Sequence, residues 1–454
     1  MKKITVMASA MALMFGSGLA MAKVSPEEAA KLGKELTPMG AEMAGNADGS
    51  IPAWTGGITT PPAGYQPGTF HLDPYAGDAK IATITKDNMA EYAPFLSAGV
   101  QKMFEMYPDT FKMNLYPTHR SGSYPQFIYD ATIKNATSAE LVDGGNGIRG
   151  AATGVPFPIP ANGLEVIWNH ILRYRGETAE IQRNQAAPTA GGSYTLVETN
   201  EQIKFLYTIP GADAATLAKD NLLFYFKQVV TAPARLAGTA LLVHETMDQS
   251  KQPRQAWTYN TGQRRVRRAP NVAFDTPGTA SDGMRTTDDF DLYNGSPERY
   301  NWELVGKQEM YIPYNDYKLH SGDVKYDQIL QAGHINMDLV RWEKHRVWVV
   351  EATLKDGVRH LYKTRRFYID EDSWQIALVD LYDNRDEMYR VGMAHTVNYY
   401  EQPLVWTTLE VFYDLNSRRY MAMGLDNEGK VANFDADISA KDFTPQALRR
   451  QGRR

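Results

Sequence analysis

Four arginines fall within five residues, Arg264, Arg265, Arg267 and Arg268, and two large aromatic residues, Trp257 and Tyr259, come just before them. Guanidinium groups at this density recognise carboxylates or phosphates through paired, directional hydrogen bonds. Trp257 and Tyr259 stand two apart, so on a strand they share one face of the pleat. Asn260-Thr261-Gly262-Gln263 reads as a turn, with Gly262 free to take a positive φ. Arg264 to Arg268 then returns as a second strand, and Pro270 ends it. Arg264 and Arg268 flank Val266 on one face; Arg265 and Arg267 occupy the other. A central strand buried on both sides cannot carry charge on both. This one must lie near a sheet edge or rim, or pair with carboxylates such as Asp288, Asp289 and Asp291 in the segment that closes the following loop. The bland reading is a salt-bridged surface strand. The functional one is a docking or headgroup site.

There is no Gly-x-Ser-x-Gly, no His-Glu-x-x-His, no phosphate loop and no Ser-x-x-Lys. The nine histidines include no pair at metal-ligand spacing. His244 and Glu245 are neighbours on a strand and point to opposite faces. Asp370, Glu371 and Asp372 fall in a predicted turn, where solvated carboxylates are the default. The glycine-rich stretch from Gly144 to Pro160 lacks the Gly-Lys-Ser/Thr of a phosphate loop and is read as structural. The expectation is no catalytic residue, no metal and no cofactor. Glycosidase carboxylates stay open, since they meet only in three dimensions.

These residues need elements to hold them. Lys2 and Lys3, the apolar run Val6 to Phe15 and Ala20-Met21-Ala22 form an export signal, with cleavage expected after Ala22. The run is too short to span a bilayer. Cleavage removes two of 48 basic residues and leaves 46 against 53 acidic ones, a net charge of −7. That balance argues against nucleic acid as a partner. Cysteine is absent, which removes disulfides, thiolate metal sites and a cysteine-linked lipid, and with the signal points to a periplasm.

Val24 to Leu36 reads as a helix opened by a Ser25/Glu28 capping box. Gly40 to Tyr65 is a turn-rich strap pinned by Trp54. Thr85 to Met106 carries Met89, Tyr92, Leu96, Val100, Met103 and Met106 at helical spacing, either a core face or an adaptable lipophilic lining. Leu164, Ile167, Trp168 and Ile171 mark a short amphipathic helix. From Ser193 strands take over: 194–209, 222–231, 236–246, 302–312, 339–354, 359–369, 375–382, 388–400 and 405–413. Short connections make them an antiparallel meander. The organisation expected is 23–192 as a helical and irregular segment packed on the sheet, 193–440 as the β domain, and 441–454 as a flexible basic tail.

Several blocks resemble a known family. They are Leu32-Gly33, Leu36 to Ala41, Ala44 to Gly57, Pro156-Phe157-Pro158-Ile159-Pro160 and Trp168-Asn169-His170. Together they are similar to the periplasmic family catalogued as domain of unknown function 1329. The arginine-rich hairpin and the Asp-x-Asp-Leu-Tyr segment resemble the Lol carriers that sort outer-membrane lipoproteins. The resemblance implies a mainly β (α+β) fold: a large curved antiparallel half-barrel closed by helices, with an apolar concave face. It also implies a non-catalytic carrier of a lipid-like hydrophobic molecule between the membranes. The implied partners are an export pump of the resistance-nodulation-division type and an outer-membrane barrel, and the implied location is the periplasm with outer-membrane association. Trp257, Tyr259, Arg264, Arg265, Arg267, Arg268, Trp54 and Trp168 are the candidate contacts for ligand or partner. A ligand-free scaffold that docks an outer-membrane protein predicts a filled sheet interior. A glycan-binding or glycan-cleaving protein predicts an exposed aromatic platform with carboxylates about 5–10 Å apart.

Overall fold

Strands with large residues on both sides must be covered on both sides, and the computed structural model shows how. It describes residues 24–270 and 272–451; the expected signal and cleavage point lie outside them. The meander is present. Strands Tyr300–Pro313, Trp342–Leu354, Thr364–Asp370, Ile376–Tyr382, Met388–Tyr399, Leu404–Asp414 and Arg419–Leu425 pair antiparallel in chain order, in a ten-stranded sheet. A second sheet of six runs Arg265–Arg268, Gln255–Asn260, Ala240–Glu245, Phe224–Ala232, Glu198–Phe205, Thr178–Gln182. Neither sheet closes into a barrel. The fold is mainly β with helices.

One stretch joins the sheets. Thr178–Gln182 pairs with Glu198–Phe205 in the small sheet, and Asn184–Ala186 pairs with Arg419–Leu425 in the large one. Arg183 sits at the step between them. This stretch and Arg419–Leu425 were not expected as strands. Asn184-Gln185-Ala186 and Met421-Ala422-Met423 lack β-branched residues, and tertiary pairing overrides that weak propensity.

The large sheet is covered on each face. On one, Val350, Phe367, Ile369, Ile376, Val379 and Leu381 meet the helix Gly163–Leu172 and the small sheet. On the other, Val347, Val349, Leu378, Val391 and Met393 meet the helix Ala98–Met106 and the 310–340 segment. Val100 and Met103 are fully buried there, so the methionine stripe is core rather than a ligand lining.

Three local expectations change. The first helix spans only Pro26–Ala29, although its capping box is present; Gly33 at φ +76° turns the chain out of the helix. The second helical region splits into Met89–Tyr92 and Ala98–Met106, because Pro94 interrupts it and Ser97 caps a fresh start. The tail expected to fray forms the helix Pro445–Gln451, because Phe443 and Leu448 bury themselves against Leu242 and Tyr259. No helix among the described residues is long and apolar enough to cross a membrane.

Candidate functional site

The arginine strand lies at the edge of the small sheet, the first of the two placements its two-faced charge allowed. It begins at Arg265, and the left-handed turn residue is Arg264 at φ +51°, not Gly262. Among the described residues none of the four arginines forms an ion pair. Asp288, Asp289 and Asp291, offered above as their partners, are buried elsewhere with other arginines.

Register divides the predicted site. Residues directly opposite in an antiparallel pair share a face. Trp257 faces Leu242 and Arg268, and Tyr259 faces Val266. These residues line the outer face of the small sheet beneath the C-terminal helix. The Arg268 guanidinium sits 5.6 Å from the Trp257 ring centre. Arg267 instead faces Thr258, which faces Leu241, and Arg265 shares that side. Trp54 stays on the strap, edge-on to Tyr129 at 6.3 Å. Trp168 is fully buried and its Nε1 donates to Gly145 O at 2.9 Å. The structure therefore keeps the hairpin residues on one edge hairpin but splits them between its two faces, and leaves Trp54 and Trp168 apart from it.

Leu241 opens onto a recess that sequence reasoning missed. It lies between the inner face of the small sheet and the 272–294 segment. Phe224, Phe226, Leu241, Val243, Val272 and Phe290 form its apolar wall; Gln228, Arg254 and Arg285 are among its polar members. Its cavity volume is about 50 Å³. The alternation of Phe224 and Phe226 was the available signal. What it could not reveal was the roof.

That roof is held by buried ion pairs. Asp291, at φ +58°, accepts from Arg173 Nη2 and Arg175 Nη1, each at 2.7 Å. Burial alone would raise its pKa; the two guanidiniums more than offset that and hold it well below the usual carboxylate range. Its N–H donates to Glu410 at 2.9 Å. Burial pushes Glu410 up to about 7 despite Arg183 at 2.8 Å. Asp288 meets Arg365 at 2.8 Å and His360 at 3.0 Å.

His170 locks the same region. Its Nε2 lies 3.0 Å from Asp291 O, and its Nδ1 lies 3.0 Å from Trp374 O and 3.2 Å from Ile376 N. Burial, then Arg173, lowers its pKa from 6.5 to about 3. A depressed pKa gives stability that is complete above 6.5 and lost as pH falls toward 3, at about 1.4 kcal/mol per pH unit. Urea unfolding at pH 7 and pH 5 measures this. His170→Gln should be less stable at pH 7 but lose less on acidification; equal slopes in the two proteins would refute the assignment.

The Asp370-Glu371-Asp372 turn is not solvated, contrary to expectation. The three residues are 1%, 1% and 5% exposed. Arg120 clamps both oxygens of Asp372 at 2.7 and 2.8 Å and also donates to Glu42 O on the strap at 2.8 Å. Lys307 and Arg346 take Glu371 at 2.8 and 3.2 Å. Burial, then the Asp372 charge, raises Asp370 to about 6. His345, Asp370 and Asp372 bring donor atoms within 4.8 Å of one another. With both Asp372 oxygens committed to Arg120, the cluster works as an ion-pair rivet for the strap.

The profile of a family described as "Protein of unknown function (DUF1329)" matches residues 83–449. The chain belongs to this family. The match takes in both sheets, the recess and its roof. As a DUF1329 member the chain is 52% identical over 451 residues to the uncharacterized protein PA3922 of Pseudomonas aeruginosa, covering 99% of each. A DUF1329 family protein from Desulfovibrio piger is a structural neighbour, with TM-score 0.42 and 14% identity over 60% of this chain and 92% of that one. A putative outer membrane lipoprotein-sorting protein domain from Vibrio parahaemolyticus gives TM-score 0.44 and 13% identity over 63% and 98%. The LolA superfamily protein NE2245 from Nitrosomonas europaea gives 0.38 and 11% over 63% and 98%.

Proposed function

We propose that this DUF1329 member is a non-catalytic periplasmic carrier of a lipid-like hydrophobic molecule. It would hand its cargo between an inner-membrane pump of the resistance-nodulation-division type and an outer-membrane barrel. The observation that carries this reading is the apolar recess on the inner face of the small sheet, roofed by the 272–294 segment. Each methylene covered there gains about 0.8 kcal/mol over exposure to water. The recess is narrow as it stands, so loading would require the roof, and Phe290 with it, to lift from Phe226. Residues 23–192 would act as cover for the 193–440 sheet unit.

The test is native mass spectrometry, with lipid extraction, on protein from the periplasm. Co-purified lipid that is lost on delipidation and regained on exchange supports the carrier. A clean mass with no uptake of a neutral fluorescent lipid probe ends it.

A second reading, the docking scaffold, draws support from the face of the large sheet that meets the helix Gly163–Leu172, where aromatic residues and ion pairs fill the space. Both readings use the edge strand. Charge reversal of Arg265 and Arg267 to Glu should weaken binding of an acidic partner or ligand at least tenfold and leave the melting temperature nearly unchanged, since both side chains are exposed and lack ion pairs. A large fall in melting temperature would instead make them structural. The glycan reading finds no exposed tryptophan among the described residues; Tyr194, 37% exposed, is the aromatic residue that stands out from the surface.

A further inference from the structure

Arg285 differs from the other buried arginines around the recess. Arg173, Arg175, Arg183, Arg254, Arg365 and Arg390 each have a carboxylate within 3.2 Å. Arg285 is 4% exposed, and among the described residues no carboxylate lies within ion-pair distance of it. Its Nη1 donates only to the neighbouring Thr286 O at 3.1 Å; its Nε lacks a hydrogen-bond partner, as do those of Arg173, Arg175, Arg183, Arg254 and Arg365, so the missing carboxylate is what sets it apart. The carboxylates nearest in charge effect are engaged elsewhere. Glu201 and Glu410 hold Arg183, and Asp289 accepts from Tyr362 at 2.8 Å. Leaving a guanidinium buried without a counter-charge is costly.

The place of this group matters as much as its lack of a partner. Arg285 lines the same recess as Phe224, Phe226, Leu241 and Val243. Its guanidinium lies flat against Gly278, where an added Cβ would come within 2.7 Å of Cζ. A bare glycine therefore leaves the room that lets the fork sit there. Apolar walls and an unpaired cation in one recess match a molecule with a chain and an oxyanion at its end.

We propose that the recess takes a single-chain amphiphile with an oxyanion headgroup, carboxylate or phosphate, and that Arg285 pairs with that headgroup. This rests on the carrier reading and adds the ligand class. Arg267, on the same face one strand beyond Thr258, draws the anion toward the mouth.

The experiment is displacement of the neutral dye N-phenylnaphthylamine by dodecanoate, dodecyl phosphate and dodecanol, at low salt. Wild type should bind one or both anions at least tenfold more tightly than dodecanol, and which anion wins identifies the source. Arg285→Gln should erase that preference while dodecanol affinity stays the same. Gly278→Ala, which displaces the guanidinium without removing it, should weaken the anions selectively. The melting temperature of Arg285→Gln should not fall, because no ion pair is lost. If no probe binds, the carrier reading itself fails, and the headgroup assignment with it. If all three bind wild type equally, or if Arg285→Gln weakens all three alike, the carrier stands and the headgroup assignment is overturned. Failure of Arg285→Gln to fold would make Arg285 a structural group and also overturn it.

Discussion

Asp291→Ala should cost about 3–5 kcal/mol of stability, the usual loss when one member of a buried pair is removed and the other is stranded. Two guanidiniums are stranded here. Arg173 and Arg175 both converge on this carboxylate at 2.7 Å, and Asp291 is only 5% exposed. The same residue ties three elements together. Arg173 and Arg175 follow the interior helix, Glu410 is on a large-sheet strand, and His170 reaches the Asp291 carbonyl. Its loss should loosen the roof as well as lower the unfolding free energy. Urea denaturation gives the stability, and hydrogen exchange at residues 287–293 reports the loosening. Asp291→Ala combined with Arg175→Met should recover part of the loss, because one of the two unpaired cations is gone. A loss under about 1 kcal/mol would show that water already solvates the cluster.

Trp168→Ala should cost a similar amount, about 3–5 kcal/mol, as large-to-small changes in a closed core do. The side chain is 0% exposed, and its Nε1 satisfies Gly145 O in the glycine-rich loop. Trp168→Phe keeps most of the volume but leaves that carbonyl without its donor, so it should fall between wild type and alanine. Thermal and urea unfolding decide. A partner-contact role would give the opposite pattern, with stability intact and binding lost.

The edge position of the arginine strand was one of two options that charge on both faces of a strand allowed; pairing with Asp288, Asp289 and Asp291 was the other, and the structure decided between them. The meander could be read because alternation and short connections are local. Strand ends in the structure fall within a few residues of those expected, as at 342–354 and 388–399. The candidate site was only half legible. Trp257 and Tyr259 do share a face, but that face meets Phe443 and Leu448 from the far end of the chain. Trp168 carries the large aromatic surface that suggests binding, and it turns out to be core. The Asp370-Glu371-Asp372 turn looks solvated because its partners, Arg120, Lys307 and Arg346, are distant in sequence.

By itself the sequence determined most of the elements, the antiparallel order of most strands and the family, because propensity, alternation and turn chemistry act over a few residues and the matching blocks are contiguous. Only the tertiary structure decided which face of the hairpin looks into a recess. A strand presents both faces equally until something covers one. It also decided which arginines are neutralised. Arg173, Arg175 and Arg365 find their carboxylates more than 70 residues away in the chain, and Arg285, with Glu201, Asp289 and Glu410 in its surroundings, has none within reach.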